Sequence, residues 1–326
     1  MRLRSERYVA TFLDPRRGFA PARVPAEVRW DPLTGRSCRL LPEGTIPRPA
    51  AHDLRELDAR TRPGCPFCGE ALARETPRLP PELHAEGRIR CGEAVLFPNL
   101  VPYAPWSSVS VYSPDRHLLP LAAITPRLLA DNLRTQAEFA RTVLGHDPAS
   151  SWISVNANHL PPSGSSIFHP HLQGTAAPWP TTAQRELADV PAATLREYVD
   201  AERGGERSLG SSDGVDWVAA WAPAGIGEVR AFALDAGSVA ELTPELLEAL
   251  AAGAVRVLRA YAELGFESFN LALTGRPLVL RLAARAYFGD AGRSDVMWLE
   301  RLHGDVATDL HPERLAERVR AALTDF

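Results

Sequence analysis

The apolar residues divide the chain into an irregular N-terminal stretch and a regular remainder. Residues 14–82 are rich in Pro, Gly and Arg and show no sustained hydrophobic period, so they predict a loop-dominated segment. From residue 94 onward, short runs of β-branched and aromatic residues predict strands. These runs are Ala94–Phe97, Ser108–Tyr112 and Trp152–Asn156.

A helix is predicted between the second and third of these strands. Thr125 has the side chain of an N-cap, and Pro126 suits the first helical position because its fixed φ is already helical. Apolar residues then follow at helical spacing, namely Leu128, Leu129, Leu133, Phe139 and Val143.

The same unit recurs later in the chain. Thr243-Pro244 repeats the Thr125-Pro126 start 118 residues further on, and it opens a predicted helix that ends near Gly265. A strand over Ser268–Ala272 follows, offset by 116 residues from the strand of the first copy. Two nearly equal offsets predict one strand–helix–strand module that is present twice.

The predicted fold class is therefore α+β, with two tandem domains that each contain an antiparallel sheet and packed helices. We expect an N-terminal domain over residues 1–200 and a C-terminal domain over residues 215–326. A stretch rich in Gly, Ser and charged residues, from Glu202 to Gly214, is the predicted linker. The offset of 116 places Arg285 opposite His169, so the second copy lacks the histidines of the first. One active half and one supporting half are expected.

Composition and charge exclude several classes of protein. The chain has 326 residues, of which 45% are hydrophobic and 23% charged, which excludes a disordered or fibrous protein. Its net charge of −4 predicts neither nucleic acid nor a membrane surface as a partner. Since the N-terminus has no signal-peptide core and no apolar run reaches a membrane span of about 18 residues, we expect a cytoplasmic protein.

Two of the four cysteines form the segment Cys65-Pro66-Phe67-Cys68, whose spacing lets two thiolates bind one tetrahedral ion. A zinc site needs two more ligands, and these would be histidines or one of Cys38 and Cys91. His117 and His169 are the candidates that lie near predicted strands. A redox pair, or two unrelated loop thiols, is the alternative.

A second cluster of reactive residues is the segment His169-Pro170-His171-Leu172-Gln173. In an extended chain, alternate side chains share a face, so His169, His171 and Gln173 would project together. The preceding Gly164-Ser165-Ser166 could form an anion-binding nest beside them. Spacing alone leaves open whether the two histidines bind a metal, a phosphate or both.

These motifs resemble those of the galactose-1-phosphate uridylyltransferase family, a branch of the histidine-triad superfamily. The His-Pro-His-x-Gln segment, with Asn158 eleven residues before its first histidine, is similar to the family's active-site signature. Three further segments match in order, namely Trp30–Gly35, Cys65–Cys68 and Val111–His117. The resemblance covers about residues 28–175. It implies that both predicted domains are histidine-triad-like.

The resemblance also implies a two-step nucleotidyl transfer. His171 would attack the α-phosphorus of a nucleoside-diphosphate sugar, release the sugar 1-phosphate and carry the nucleotide until a second phosphate accepts it. His169 would instead complete a structural zinc site with Cys65, Cys68 and His117.

Supporting roles are implied for residues around these two histidines. Gln173 would bind a phosphate oxygen of the intermediate, while Ser166 and the backbone of Gly164-Ser165 would stabilise developing charge. Asn158 would anchor the phosphates, and Asn99 would contact the nucleoside.

The sequence departs from the family pattern at three places. Leu100 follows Asn99 where the family commonly has Asp, which is closer to the related ADP-glucose phosphorylases. Of an arginine-rich N-terminal segment, Arg48 remains. The family's His-x-His substrate segment is replaced by Ala283–Tyr287. In its place, Arg281 or Arg285 could bind the acceptor phosphate.

The expected protein is a zinc-containing nucleotidyltransferase, related to enzymes of UDP-sugar and galactose metabolism, that acts on a nucleoside-diphosphate sugar and a sugar 1-phosphate. The resemblance also implies a homodimer. Two alternatives remain open. One is an ADP-sugar phosphorylase that uses inorganic phosphate as acceptor, and the other is a zinc-stabilised nucleotide-binding protein without turnover.

Overall fold

The computed structural model describes residues 3–46, 53–286, 296 and 298–322. Its α-helices are α1 (Leu54–Thr61), α2 (Ala71–Glu75), α3 (Pro126–His146), α4 (Thr182–Ala188), α5 (Ala192–Glu202), α6 (Pro244–Glu263), α7 (Trp298–His303) and α8 (Pro312–Ala321). Its strands are β1 (Arg4–Asp14), β2 (Ala20–Trp30), β3 (Ser37–Leu40), β4 (Ile89–Cys91), β5 (Ala94–Pro98), β6 (Trp106–Val111), β7 (Trp152–His159), β8 (His171–Ala177), β9 (Ser208–Ser212), β10 (Val215–Ala219), β11 (Ile226–Phe232), β12 (Ser268–Thr274), β13 (Val279–Arg285) and β14 (Val306–Thr308).

Most strands join one ten-stranded antiparallel sheet in the order β4-β5-β6-β8-β7-β12-β13-β11-β10-β9. Five neighbouring strands come from each half of the chain. A smaller sheet has the order β1-β2-β3-β14. The predicted α+β class is confirmed.

The two long helices begin as their Thr-Pro pairs predict. Thr125 Oγ1 accepts a hydrogen bond from the Leu128 amide at 3.2 Å, and Thr243 Oγ1 accepts one from the Leu246 amide at 3.3 Å. Such caps satisfy donors that the first helical turn leaves unpaired. Gly265 follows α6 with φ +84°, the left-handed conformation expected just after a helix end. Both helices pack their apolar faces on one side of the ten-stranded sheet.

The repeated module is confirmed, but its alignment differs from the predicted one. Asn156 pairs with Gln173 between β7 and β8, and Ala272 pairs with Arg281 between β12 and β13. Since β7 and β12 are offset by 116 residues, Gln173 corresponds to Arg281, an offset of 108. The position of His171 then corresponds to Val279, and the predicted match of His169 with Arg285 is wrong. The offset changes because the second copy has a shorter loop between these strands.

The two halves share one sheet, because β7 pairs with β12 along most of its length. The predicted linker from Glu202 to Gly214 contains β9, which pairs with β10 at the sheet edge. Its Gly and Ser residues are compatible with an exposed edge strand. The division into domains at residues 1–200 and 215–326 stays a prediction.

The N-terminal stretch is more regular than predicted. β1 and β2 form a long antiparallel hairpin in which nearly all of β1 is exposed. Pro21 and Pro25 lie at exposed positions of β2. Because the hairpin packs little against the core, it carries no inside–outside alternation, and the sequence pattern did not indicate it.

The face of the sheet opposite α3 and α6 is only partly covered. At one end it packs against the segment of Cys65 and Phe67, and at the other against α5. Between them, alternate residues of the central strands are polar and half-buried, namely Asn156, Asn158, Gln173, Thr175, Asn270, Arg281 and Arg285. We call this the open face.

Candidate active site and metal centre

Four predicted metal ligands meet at one end of the open face. Cys65 and Cys68 lie between α1 and α2, His117 lies after β6, and His169 lies just before β8. Their ligand atoms all lie within 4.8 Å of one another. The cluster therefore brings together segments that are distant in the chain.

The atom separations fit a tetrahedral ion. His117 Nδ1 is 3.3 Å from Cys68 Sγ, and His169 Nδ1 is 3.4 Å from Cys68 Sγ and 3.7 Å from Cys65 Sγ. Zn–S bonds near 2.3 Å and Zn–N bonds near 2.0 Å at tetrahedral angles imply N–S separations of about 3.5 Å. The donor set and its spacing could hold zinc.

Hydrogen bonds orient both imidazole rings towards the sulfurs. His169 Nε2 donates to the Ser113 carbonyl oxygen at 2.8 Å, and His117 Nε2 lies 2.9 Å from Thr61 Oγ1. Bonds of this kind on the remote nitrogen leave Nδ1 as the metal-facing atom. Burial lowers the pKa of His169 to about 4, so its ring is neutral and has a lone pair at Nδ1.

Phe67 connects the metal cluster to the second histidine. Its ring packs edge-on against His169 at 5.9 Å and against His171 at 5.6 Å between ring centroids. It also belongs to the apolar cluster that covers β5 and β6. The Cys65–Cys68 turn is thereby packed against the strand that carries His171.

His171 stands apart from the metal cluster and has a fixed tautomer. Its Nδ1 lies 2.7 Å from the His169 carbonyl oxygen, so Nδ1 carries the proton and donates. Nε2 then keeps its lone pair. Burial lowers the pKa of His171, which favours the neutral ring. The question that spacing left open is answered in part: the His169 ring faces the sulfurs, and the cluster found among the described residues does not include His171.

The loop between β7 and β8 contains Gly164-Ser165-Ser166, the residues of the predicted anion-binding nest. Leu160 has φ +66° and Gly164 has φ +95°, so the chain turns twice through the left-handed region. Ser165 is buried and its Oγ donates to the Ile167 carbonyl oxygen at 2.6 Å, which closes the loop on itself. Ser166 is exposed.

Gln173 and Asn158 both lie on the open face. Asn156, which the sequence analysis did not single out, pairs with Gln173 and donates from Nδ2 to Ser154 Oγ at 2.9 Å. The alternation Asn156-Ala157-Asn158 on a strand was the available signal. Its meaning depended on the register with β8, which the sequence does not show.

On the face of β8 that packs against α3, Gly174 cannot be replaced by a larger residue unless neighbouring side chains move. A Cβ atom there would overlap Gln136 Oε1 and Ser108 Oγ. These two side chains form a buried hydrogen bond of 3.0 Å directly beneath β8. The strand that carries His171 and Gln173 therefore rests on a buried polar pair.

Two predicted binding residues lie at opposite sides of the open face. Asn99 follows β5, where its Oδ1 accepts from the Val101 amide at 3.0 Å. Its Nδ2 is buried without a partner among the described residues, which leaves a donor for a ligand. Arg285 ends β13 and donates from Nη1 to Asn270 Oδ1 at 2.7 Å.

Other predicted contacts have different positions. Arg281 forms an ion pair with Glu228 at 2.6 Å, so this guanidinium is already engaged. Arg48 lies outside the described residues. Cys38 is buried in a separate cluster, and Cys91 lies 3.7 Å from Asp131, so neither joins the metal ligands. Among the described residues, no helix combines the length and apolar character that crossing a membrane requires.

Comparisons with known proteins place this geometry in context. No family model matches the chain. An uncharacterized protein of Archaeoglobus fulgidus is 30% identical over 316 residues, which cover 90% of this chain and 91% of that protein.

The fold is also found in solved structures. An ADP-glucose phosphorylase from Arabidopsis thaliana, solved with bound ADP-glucose, is 17% identical with a TM-score of 0.68, over 90% of this chain and 98% of that chain. A uridylyltransferase is 19% identical with a TM-score of 0.62, over 91% of this chain and 98% of that chain. At these identities the likeness establishes the fold.

Proposed function

We infer the function from the family, the fold and the site geometry together. The chain belongs to the same family as the Archaeoglobus fulgidus protein. It has the fold of the uridylyltransferase and the ADP-glucose phosphorylase, which is the fold that its motifs predict. We propose that it is a nucleotidyltransferase that forms a covalent nucleotidyl-histidine on His171. The observation that carries the proposal is a buried neutral imidazole whose Nδ1 proton is held by a backbone carbonyl, with Nε2 left as a nucleophile.

In the first step, the Nε2 lone pair of His171 attacks the α-phosphorus of a nucleoside-diphosphate sugar. A P–N bond forms, the P–O bond to the β-phosphate breaks, and sugar 1-phosphate leaves with the electron pair. In the second step, a phosphate oxygen of the acceptor attacks the same phosphorus and the P–N bond breaks. The carbonyl of His169 stabilises the positive ring of the intermediate through the Nδ1 hydrogen bond.

The neighbouring residues support this reaction by position. Gln173 lies two residues after His171 on the same face of β8. The loop with Gly164, Ser165 and Ser166 joins β7 to β8. We propose that these groups and Asn158 bind the phosphates and that Asn99, with its unpaired Nδ2, binds the nucleoside.

We propose that Cys65, Cys68, His117 and His169 hold a zinc ion with a structural role. A closed four-ligand site has no open position for substrate. When bound, such an ion supplies folding energy. It would fasten the Cys65–Cys68 turn to the strand that carries His171.

The acceptor is proposed to be a sugar 1-phosphate, with inorganic phosphate as the second candidate. The second candidate is favoured by Leu100 after Asn99 and by Arg285, which stands where the family pattern has a His-x-His segment. The guanidinium of an arginine on the open face can form charge-assisted hydrogen bonds with a phosphate group. An ADP-sugar phosphorylase would then be the better description. UDP-sugar and galactose metabolism belong to the first candidate.

A homodimer is proposed as the assembly. Aromatic and aliphatic side chains of the β1–β2 hairpin are exposed, including Phe12, Leu13 and Phe19 at 42%, 60% and 65%. A two-stranded hairpin is marginally stable in water, so burial against a second copy would stabilise it. Light scattering should give the mass of two chains, and a monomer at micromolar concentration would contradict the proposal. A cytoplasmic location stays a prediction.

The function is tested by incubation with ADP-glucose and UDP-glucose separately, followed by mass spectrometry of the intact protein. We expect a covalent nucleoside monophosphate on the wild type and none on His171→Ala, with transfer reduced on the order of 10⁴-fold or more. His303→Ala, an exposed histidine of α7, is the control and should be labelled normally.

Supplying each acceptor then separates the candidates. Release of nucleoside diphosphate with inorganic phosphate alone identifies a phosphorylase, whereas release of a sugar nucleotide requires a sugar 1-phosphate. Binding of the nucleotide without any covalent product would favour the nucleotide-binding protein without turnover. Full transfer by His171→Ala would contradict the assigned nucleophile.

A further inference from the structure

The seam between the two halves contains a carboxamide that the function proposed above does not use. Asn270 lies on β12 and pairs in register with Asn158 on β7, on the open face. The side chain is half-buried. It belongs to the half of the chain that lacks the histidines, yet it faces the loop that carries Gly164.

Asn270 uses both ends of its amide. Its Nδ2 donates to Asn158 Oδ1 at 2.6 Å, to the Ser163 carbonyl oxygen at 3.0 Å and, with a longer contact, to the Ala157 carbonyl oxygen at 3.3 Å. Its Oδ1 accepts from Arg285 Nη1 at 2.7 Å. One side chain thereby contacts three segments of the molecule.

Arg285 determines which way the two amides face. A guanidinium has donors only, so the Asn270 atom that meets it must be the oxygen. The Asn270 nitrogen then meets Asn158, which presents its oxygen to this donor at 2.6 Å even though the same oxygen lies 3.2 Å from the Ser163 carbonyl oxygen and 3.3 Å from the Ala157 carbonyl oxygen. The opposite orientation of Asn158 would place two nitrogens against each other. Arg285 thus influences the orientation of the Asn158 amide through one intervening amide.

This orientation leaves the Asn158 amide nitrogen directed towards the loop that joins β7 to β8. A Cβ atom built on Gly164 would lie 3.8 Å from Asn158 Nδ2, so the donor is adjacent to the loop's left-handed turn. The turn's own hydrogen bonds are local, from the Ser163 amide and hydroxyl to the Leu160 carbonyl oxygen and from the Gly164 amide to the Pro161 carbonyl oxygen. The contact of Asn270 with Ser163 therefore attaches the loop to the second half of the chain.

We propose that Asn270 is a positioning residue for phosphate binding. It orients the Asn158 donor and holds the Ser163 turn, so that both can receive the diphosphate of a nucleotide. This inference rests on the proposed function for its substrate class. It makes the second half of the chain a working part of the first half's site.

The test is a double-mutant cycle on nucleotide affinity, measured by titration calorimetry with ADP and with UDP. Asn270→Ala should weaken binding of the preferred nucleotide about tenfold, the size expected for losing one or two hydrogen bonds. Asn158→Ala should weaken it by a similar factor. Because Asn270 acts partly through Asn158, the double variant should lose less affinity than the product of the two single effects predicts.

Ser268→Ala is the matched control. Ser268 is on the same strand and face, and its hydrogen bond goes to the His159 carbonyl oxygen, which belongs to β7 and not to the Ser163 turn. Both β12 variants should lose a comparable amount of thermal stability, and only Asn270→Ala should lose affinity. Equal affinities for the two, or effects of Asn158→Ala and Asn270→Ala that multiply, would overturn the proposal.

The cycle also separates this inference from the proposed function. A wild type that binds ADP or UDP but never carries a covalent nucleotide would refute the nucleotidyl-histidine, while the affinities would still decide the role of Asn270. A wild type that binds neither nucleotide would refute both.

Discussion

The two halves of the molecule build the same half-sheet and put different chemistry on it. Counted from the outer edge, the strands follow β4-β5-β6-β8-β7 in one half and β9-β10-β11-β13-β12 in the other. In the first half, residues 160–170 join β7 to β8, whereas residues 275–278 suffice between β12 and β13. The longer loop supplies the turn with Gly164 and the position of His169. The difference teaches that loop length, more than the strand framework, gives the first half the residues of the proposed phosphate site.

Corresponding positions of the open face also differ in charge. The first half has neutral groups, Gln173 and Asn156, beside His171. In the second half, Arg281 replaces Gln173 and pairs with Glu228, while Arg230 pairs with Glu228 and Asp31. Asp31 also accepts from the Leu33 amide at 2.8 Å, which anchors the turn after β2. The second half therefore uses its open face as a structural ion-pair network.

The largest effect on stability is expected from a change in the metal cluster, which only the first half contains among the described residues. Cys65→Ser should reduce the bound zinc, measured by metal analysis, from about one ion per chain to none. The free energy of unfolding should fall by several kcal/mol, because structural zinc contributes on the order of 10 kcal/mol in peptides.

Hydrogen exchange resolves where that stability is lost. Protection should fall in β5, β6 and β8, which pack near the cluster, and persist in β10 and β11. Cys91→Ser, outside the cluster, is the control and should retain the metal. A metal-free wild type of unchanged stability would remove the zinc site from this account.

A smaller effect is expected at the ion-pair network of the second half. Although burial raises the pKa of Glu228, Arg230 and Arg281 lower it well below its usual range. Glu228→Gln should reduce the free energy of unfolding at pH 7 by about 3–5 kcal/mol, because it leaves the guanidiniums of Arg230 and Arg281 with the single carboxylate of Asp31. Denaturant unfolding measures the change, and Glu138→Gln, exposed on α3, should have an effect below about 0.5 kcal/mol.

The stabilising contribution of the Glu228 carboxylate should be lost in acid. A folded-state pKa below the unfolded value of 4.5 contributes stability that is complete above about pH 4.5. That contribution falls as the pH decreases towards the folded-state pKa, so wild type and Glu228→Gln should converge in acid. A difference that stays constant from pH 7 to pH 3 would show that the charge of Glu228 is not what stabilises the network.

Some features were predictable because their physical cause is local. Thr125 and Thr243 cap their helices through their own side chains, so Thr-Pro pairs predicted α3 and α6 at their observed first residues. The alternation of His169, His171 and Gln173 likewise predicted an extended segment, and β8 begins at His171. The β1–β2 hairpin was missed, since exposed strands lack the alternation that burial imposes.

The sequence by itself determined the helix starts, the repeated module and the set of candidate ligands, because each depends on neighbouring residues or on residue chemistry. Only the tertiary structure decided that His169 faces the two sulfurs while His171 stands apart, and that Asn270 and Arg285 from one half meet Asn158 from the other. The second of these arrangements depends on the pairing of β7 with β12, more than a hundred residues apart. Register between distant strands is set by the packing of the whole sheet, which no local pattern records.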